Sequence, residues 1–273
     1  MAGIRSVLLH LDATRASAAR LAFAHALADR HGARVTALFG VGPDRSQSPF
    51  AYSASAALQA AEAHESPLGD ERARLRELSA DGERESVWCD VVGDSLVHGF
   101  LAEALYADLL VLGAPGGAEE GGPPAGFVEA VILQGGAPVV LVPAEGAGAT
   151  ICERALIAWN GSIPAARAAR AALPLLRLAA QVDVVSWARQ TPGAPFSGLD
   201  LGDWLRRHDV DARLHRRPAV GRVAEELRAL VRQLGSDLVV MGCYGHSRVR
   251  EQVFGGVTRR FLAALPVPVL MAH

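Results

Sequence analysis

The sequence repeats itself. The run Asp108-Leu-Leu-Val-Leu-Gly113-Ala-Pro-Gly116 returns as Asp237-Leu-Val-Val-Met-Gly242-Cys-Tyr-Gly245, and Gly126 returns at the same offset as Gly255. The copies open alike, with Ser6-Val-Leu-Leu-His-Leu ahead of Asp12 in one and Ala155-Leu-Ile-Ala-Trp ahead of Asn160 in the other. Both close on a Pro-containing apolar run, at 137–142 and at 267–271. A repeat of domain length is a strong constraint, because both copies must build the same unit. A chain of 273 residues has room for two. The expected domains are 1–145 and 150–273, with the Gly-rich segment 144–149 as linker.

Within the second copy, short apolar runs at 155–159, 182–187, 212–215, 237–242 and 267–271 alternate with helical patterns. The helices are expected at 164–180, 199–208, 221–234 and 256–265, and Pro164 suits a first helical turn. Strands that are apolar throughout, separated by helices, predict a parallel sheet covered on both faces, an α/β fold. The first copy differs between Gly42 and Ser86, where a Ser/Pro/Ala-rich loop leads into a charged helix at 56–80.

Composition removes several function classes. All 27 basic residues are arginine, so neither a Walker-type P-loop lysine nor a Schiff-base lysine exists. A net charge of -2 gives no electrostatic reason to expect nucleic acid. Cys89, Cys152 and Cys243 share no CxxC spacing, which argues against a disulfide framework or a cysteine zinc site. The dispersed histidines form no HxxxH or HExxH, and no Gly-x-Ser-x-Gly elbow occurs. The apolar run from Val7 holds His10 and stops at Asp12, unlike a signal peptide, and no apolar stretch is long enough for a membrane helix. A cytoplasmic protein without membrane contact is expected.

The glycines carry the binding argument. Gly242 and Gly245 end an apolar strand, and Gly255 and Gly256 open a helix soon after. Glycine lets a phosphate approach the backbone, and a helix N-terminus offers unpaired N–H groups and the positive end of a dipole. In doubly wound sheets, ligands sit beyond the carboxyl ends of the strands. Asn160 closes the first strand of its copy and belongs at that crevice.

The segment 242–258, with its Gly-x2-Gly-x9-Gly spacing after Asp237-Leu-Val-Val, resembles the nucleotide-binding signature of the universal stress protein family. The whole repeat resembles the tandem form of that family. The resemblance implies two Rossmann-like domains, each a five-stranded doubly wound parallel sheet, with association through the last strand. It also implies ATP, with Mg2+, in those members that bind nucleotide. The sequence departs from that pattern at the residue after the third glycine. Where binding members carry a hydroxyl, this chain has Gly256, with Thr258 as a substitute, and the first copy has Phe127. The usual Asp at the end of the first strand is Asn160 in the second copy and survives as Asp12 in the first. Glu119, Glu120, Pro123 and Pro124 add charge repulsion and remove N–H donors in the first-copy loop, which marks it as degenerate.

Arg248 and Arg250 are candidates for phosphate oxygens, and His246 and Cys243 lie in the same loop. The cofactor-binding set is therefore Asn160, Gly242, Gly245, Arg248, Arg250, Gly255, Gly256 and Thr258, with Asp12 in the other copy. No base–nucleophile pair is evident. Three readings stand: an adenine-nucleotide-binding stress protein, a ligand-free scaffold for protein partners, and a slow ATPase. A pseudo-dimer of the two domains, and a homodimer of chains, are the expected assemblies.

Overall fold

The computed structural model describes residues 3–41, 67–80, 86–91, 96–115, 120–145, 151–188, 200–218, 222–243 and 257–273. The chain divides into two compact units, 1–137 and 138–273.

In the first unit, β1 (Ser6–Leu11), α1 (Ala16–His31), β2 (Arg34–Phe39), α2 (Pro67–Ser79), β3 (Val87–Asp90), α3 (Leu96–Ala104), β4 (Leu109–Gly113) and α4 (Phe127–Gln134) follow one another. The strands lie in the order β3-β2-β1-β4 and pair in parallel. The chain steps outward from β1 to β3, then returns past β1 to β4. Right-handed crossovers place the helices of those two journeys on opposite faces, and the reversal opens a crevice between the ends of β1 and β4. β1 and β4 are almost wholly buried, as their unbroken apolar runs require.

The second unit repeats this plan with β6 (Arg154–Trp159), α5 (Ile163–Leu176), β7 (Gln181–Ala188), α6 (Leu201–Arg206), β8 (Ala212–Pro218), α7 (Val223–Leu234), β9 (Leu238–Gly242), α8 (Val257–Leu262) and β10 (Val269–Ala272). Its five parallel strands run β10-β9-β6-β7-β8, which places the reversal between β6 and β9. β5 (Val139–Val142) is the last strand of the first copy, yet it lies in the second unit and pairs antiparallel with β10. All four of its residues are buried, which pairing on a core-facing strand explains.

The repeated aspartates do the same work in both units. Asp108 accepts hydrogen bonds from the backbone N–H groups of Arg5 and Ser6, at 2.8 and 3.0 Å. Asp237 accepts from those of Glu153 and Arg154, at 2.9 and 2.8 Å. Each carboxylate thus ties the start of one central strand to the start of its neighbour. Helix ends follow local chemistry: Ser162 caps α5 through the Ala165 N–H, Pro164 lies in its first turn, and Gly32 and Gly235 end α1 and α7 in the left-handed region. Helix α5 stops at Leu176, short of the expected residue 180, two residues after Pro174, the ring of which disrupts the ladder. β8 runs past the expected 215 to Pro218 because pairing with β7 outweighs its charged side chains. Of the helix expected at 56–80, Pro67–Ser79 is helical and 56–66 lies outside the described residues.

Candidate functional site

Both reversal points lie where the repeated motifs end. In the first unit, β1 delivers Asp12 and β4 delivers Gly113; in the second, β6 delivers Asn160 and β9 delivers Gly242. The same backbone presents two different chemistries.

Asp12 is sealed. Only 1% of it is exposed, and its Oδ1 accepts from the Thr14 N–H at 2.9 Å, the Thr14 hydroxyl and the Ser17 hydroxyl at 2.9 Å. Its Oδ2 accepts from Arg20 Nη2 at 3.0 Å, and the Ser17 oxygen takes a second bond from that same nitrogen at 2.9 Å. Burial alone raises a carboxyl pKa; here the Arg20 guanidinium and the Thr14 hydrogen bonds outweigh it and hold Asp12 below its usual value. The loop ahead of α4 adds a lid contact, since the Ala13 N–H donates to the Gly121 carbonyl at 2.9 Å.

His10 lies beneath this cluster. Its Nε2–H donates to the Gly40 carbonyl at 2.9 Å, leaving Nδ1 as an acceptor 3.8 Å from Asp12 Oδ2. Burial, then the nearby Arg20 charge, lowers its pKa to about 4. Phe127, at the position where the resemblance calls for a hydroxyl, is buried instead with its ring 4.6 Å from His10 and 5.5 Å from Phe100. The hydroxyl position has become core.

The second copy keeps only the turn bond of that seal, from the N–H two residues on, and lacks its charges. Asn160, Ser162, Ala165 and Ala168 stand where the first copy has Asp12, Thr14, Ser17 and Arg20. Asn160 is exposed, and its Oδ1 accepts from the Ser162 N–H at 3.1 Å, with Gly161 turning at φ 72° between them. Ala165 and Ala168 are buried methyl groups that neither charge nor fill the strand end. Gly242 has its own reason to be glycine: a Cβ there would lie 2.3 Å from the Ala165 nitrogen and 2.5 Å from the Pro164 carbonyl carbon. The first turn of α5 packs directly on this residue. Gly113 makes the corresponding room for a side chain, because a Cβ there would lie 2.7 Å from Arg20 Nη1.

Of the other expected site residues, Thr258 is buried in the first turn of α8. Gly245, Arg248, Arg250, Gly255 and Gly256 lie outside the described residues, as does His246. The Cys243 thiol is buried and donates to the Ala272 carbonyl at 3.3 Å, a packing role. Trp159 and Trp187 are half-buried, and the Trp187 indole N–H donates to Glu226 at 2.7 Å. Sequence reasoning missed Ser17, Arg20 and His10. The signal was present: Arg20 shares a helix face with Ala24 and Leu27, so an arginine occupies a core position. Among the described residues no group of three or more His, Cys, Asp or Glu side chains forms a metal site, and no helix is long and apolar enough to cross a membrane.

The universal stress protein family model matches residues 3–143 and again 152–273. A universal stress protein from Archaeoglobus fulgidus superposes with a TM-score of 0.71 at 15% identity, covering 98% of this chain and 97% of that one. A putative universal stress protein from Pseudomonas aeruginosa gives 0.57 at 15% identity, over 98% and 92%. A universal stress protein solved in complex with cAMP matches 44% of this chain and 96% of its own, at 20% identity and a TM-score of 0.33. No protein of curated function matches the sequence. With nearly the whole length of both copies accounted for by one family model, the chain belongs to the universal stress protein family.

Proposed function

We propose that this universal stress protein binds an adenine nucleotide, ATP with Mg2+, at the strand ends of its second copy and acts in a regulatory or protective role under stress. The observation that carries the reading is the contrast between the two crevices. Asn160 stays exposed beside an uncharged helix start, whereas Asp12 is consumed by internal bonds. In this reading Asn160 hydrogen-bonds the ribose, and the backbone around Gly242, Gly245, Gly255 and Gly256 meets the phosphates. Arg248 and Arg250 neutralise phosphate charge, Thr258 supplies the hydroxyl, and Mg2+ arrives on the triphosphate, since the described residues offer no carboxylate cluster to hold it. The proposed domains are 1–145 and 150–273, associating through their last strands; the β5–β10 register supports that arrangement. No membrane or nucleic-acid partner enters this reading.

A second reading draws on Gly242. Its missing side chain is explained by the close approach of α5 without any ligand, which suits a scaffold that binds protein partners. Calorimetry with ATP and Mg2+ separates the two. Nucleotide binding requires that Gly255→Val, in a variant shown to fold by thermal melt, abolish the heat of binding. Gly256→Ser should tighten binding about ten- to hundredfold, the value of one charge-assisted hydrogen bond. No heat of binding in the wild type would support the scaffold. Phosphate release above the Gly255→Val background would add slow hydrolysis to the nucleotide reading.

A further inference from the structure

We propose that the strand-end crevice of the first unit is a guanidinium-binding site whose resident occupant is the chain's own Arg20. The geometry is that of a built cation site. A buried carboxylate, Asp12, faces the guanidinium; the Ser17 oxygen accepts from the same Nη2; and Gly113 leaves the gap into which Nη1 fits. Arg20 is 2% exposed, and its charge is matched at 3.0 Å by a carboxylate that is itself 1% exposed. Burying both ions is costly unless each finds its partner, so the pair holds together or neither is tolerated.

Two buried nitrogens beside the pair leave the network around Asp12 open. Arg20 Nε and His10 Nδ1 have no hydrogen-bond partner, although both belong to side chains almost wholly enclosed around Asp12. A side chain standing in for a ligand has to reach the crevice along its own tether, and the tether constrains which donors meet acceptors. The second copy makes the comparison: with Ala168 at the Arg20 position and Asn160 at the Asp12 position, it has neither the occupant nor the charge that would hold one. The first crevice therefore takes a planar cation and rejects phosphates, which the exposed face of a neutral Asn160 does not. No nucleotide enters the test, so its outcome is independent of ligand binding in the second copy.

The test is chemical rescue in the full chain. Arg20→Ala removes an ethylguanidinium-sized piece and leaves Asp12 charged. It should melt at least about 5 °C below wild type, and about 20 mM ethylguanidinium should return at least half of that loss. Ethylurea, of the same shape without charge, should return none, and neither wild type nor the Asp12→Asn, Arg20→Ala double variant should respond. Absence of rescue, equal rescue by ethylurea, or equal rescue of the double variant overturns the proposal. Should Arg20→Ala fail to fold, wild type decides by NMR. Slow solvent exchange of the Arg20 guanidinium protons supports occupancy, and exchange as fast as that of exposed arginines overturns it.

Discussion

His10 shows how one buried side chain links packing to pH. It is neutral in the folded chain because burial and the Arg20 charge both oppose a proton, which lowers its pKa to about 4 from an unfolded value of 6.5. A group depressed in this way contributes stability that is fully present above pH 6.5 and is lost as pH falls through 4, since only the unfolded chain takes up the proton. The loss amounts to about 3 kcal/mol. Asp12, also depressed, adds to the loss at the acid end as its carboxylate, paired with Arg20, is protonated. Thermal melts of wild type should fall between pH 7 and pH 4.5, and His10→Gln, which keeps a donor for the Gly40 carbonyl, should flatten the curve. An identical slope in both proteins would remove His10 as the cause. Gly242 makes a second residue-scale prediction. Gly242→Ala drives a methyl into the backbone of Pro164 and Ala165, where nothing can swing aside. It should cost about 1–3 kcal/mol or more in chemical denaturation, whether or not ligand is present.

At the level of elements, the repeated aspartates account for a motif that composition alone leaves unexplained. Asp108 and Asp237 each satisfy two backbone N–H groups at the start of the neighbouring central strand. Removing either carboxylate exposes those donors to imperfect solvation at a sheet terminus. Asp108→Ala and Asp237→Ala should each destabilise by about 1–3 kcal/mol in urea melts, while the Asn variants, keeping one acceptor oxygen, should lose less. Equal losses from Ala and Asn would show that charge, not acceptor geometry, matters. Helix placement was legible for the same local reasons. The Ser162 cap and Pro164 mark the start of α5, and the boundaries drift only where Pro174 or pairing with β7 intervenes. Local pattern put Arg20 on the buried face of α1 but could not supply its partner, since Asp12 meets it only in the fold.

Across the whole molecule, the last strand of the first copy is the one that meets the last strand of the second. β5 lies within the second unit, with Val139, Val140 and Leu141 opposite Met271, Leu270 and Val269. A fragment ending at residue 145 would carry β5 without that partner, an apolar strand with an open edge. Sedimentation should show concentration-dependent self-association of fragment 1–145, and Val140→Lys should suppress it. A monomeric fragment at all concentrations would mean that β5 is content without β10 beside it.

The sequence by itself determined the repeat, the α/β class and the family. These rest on periodicity and on motif spacing, and both are written along the chain. It also marked the first copy as the altered one, through Phe127 and the loop around Glu120, Pro123 and Pro124. Only the tertiary structure decided what fills that altered site. Asp12, Ser17, Arg20 and Gly113 meet because β1, α1 and β4 converge at one reversal point. Whether a glycine makes room for a phosphate, a helix or an arginine depends on what the fold brings against it. At Gly113 it brought a guanidinium, and at Gly242 the backbone of a helix.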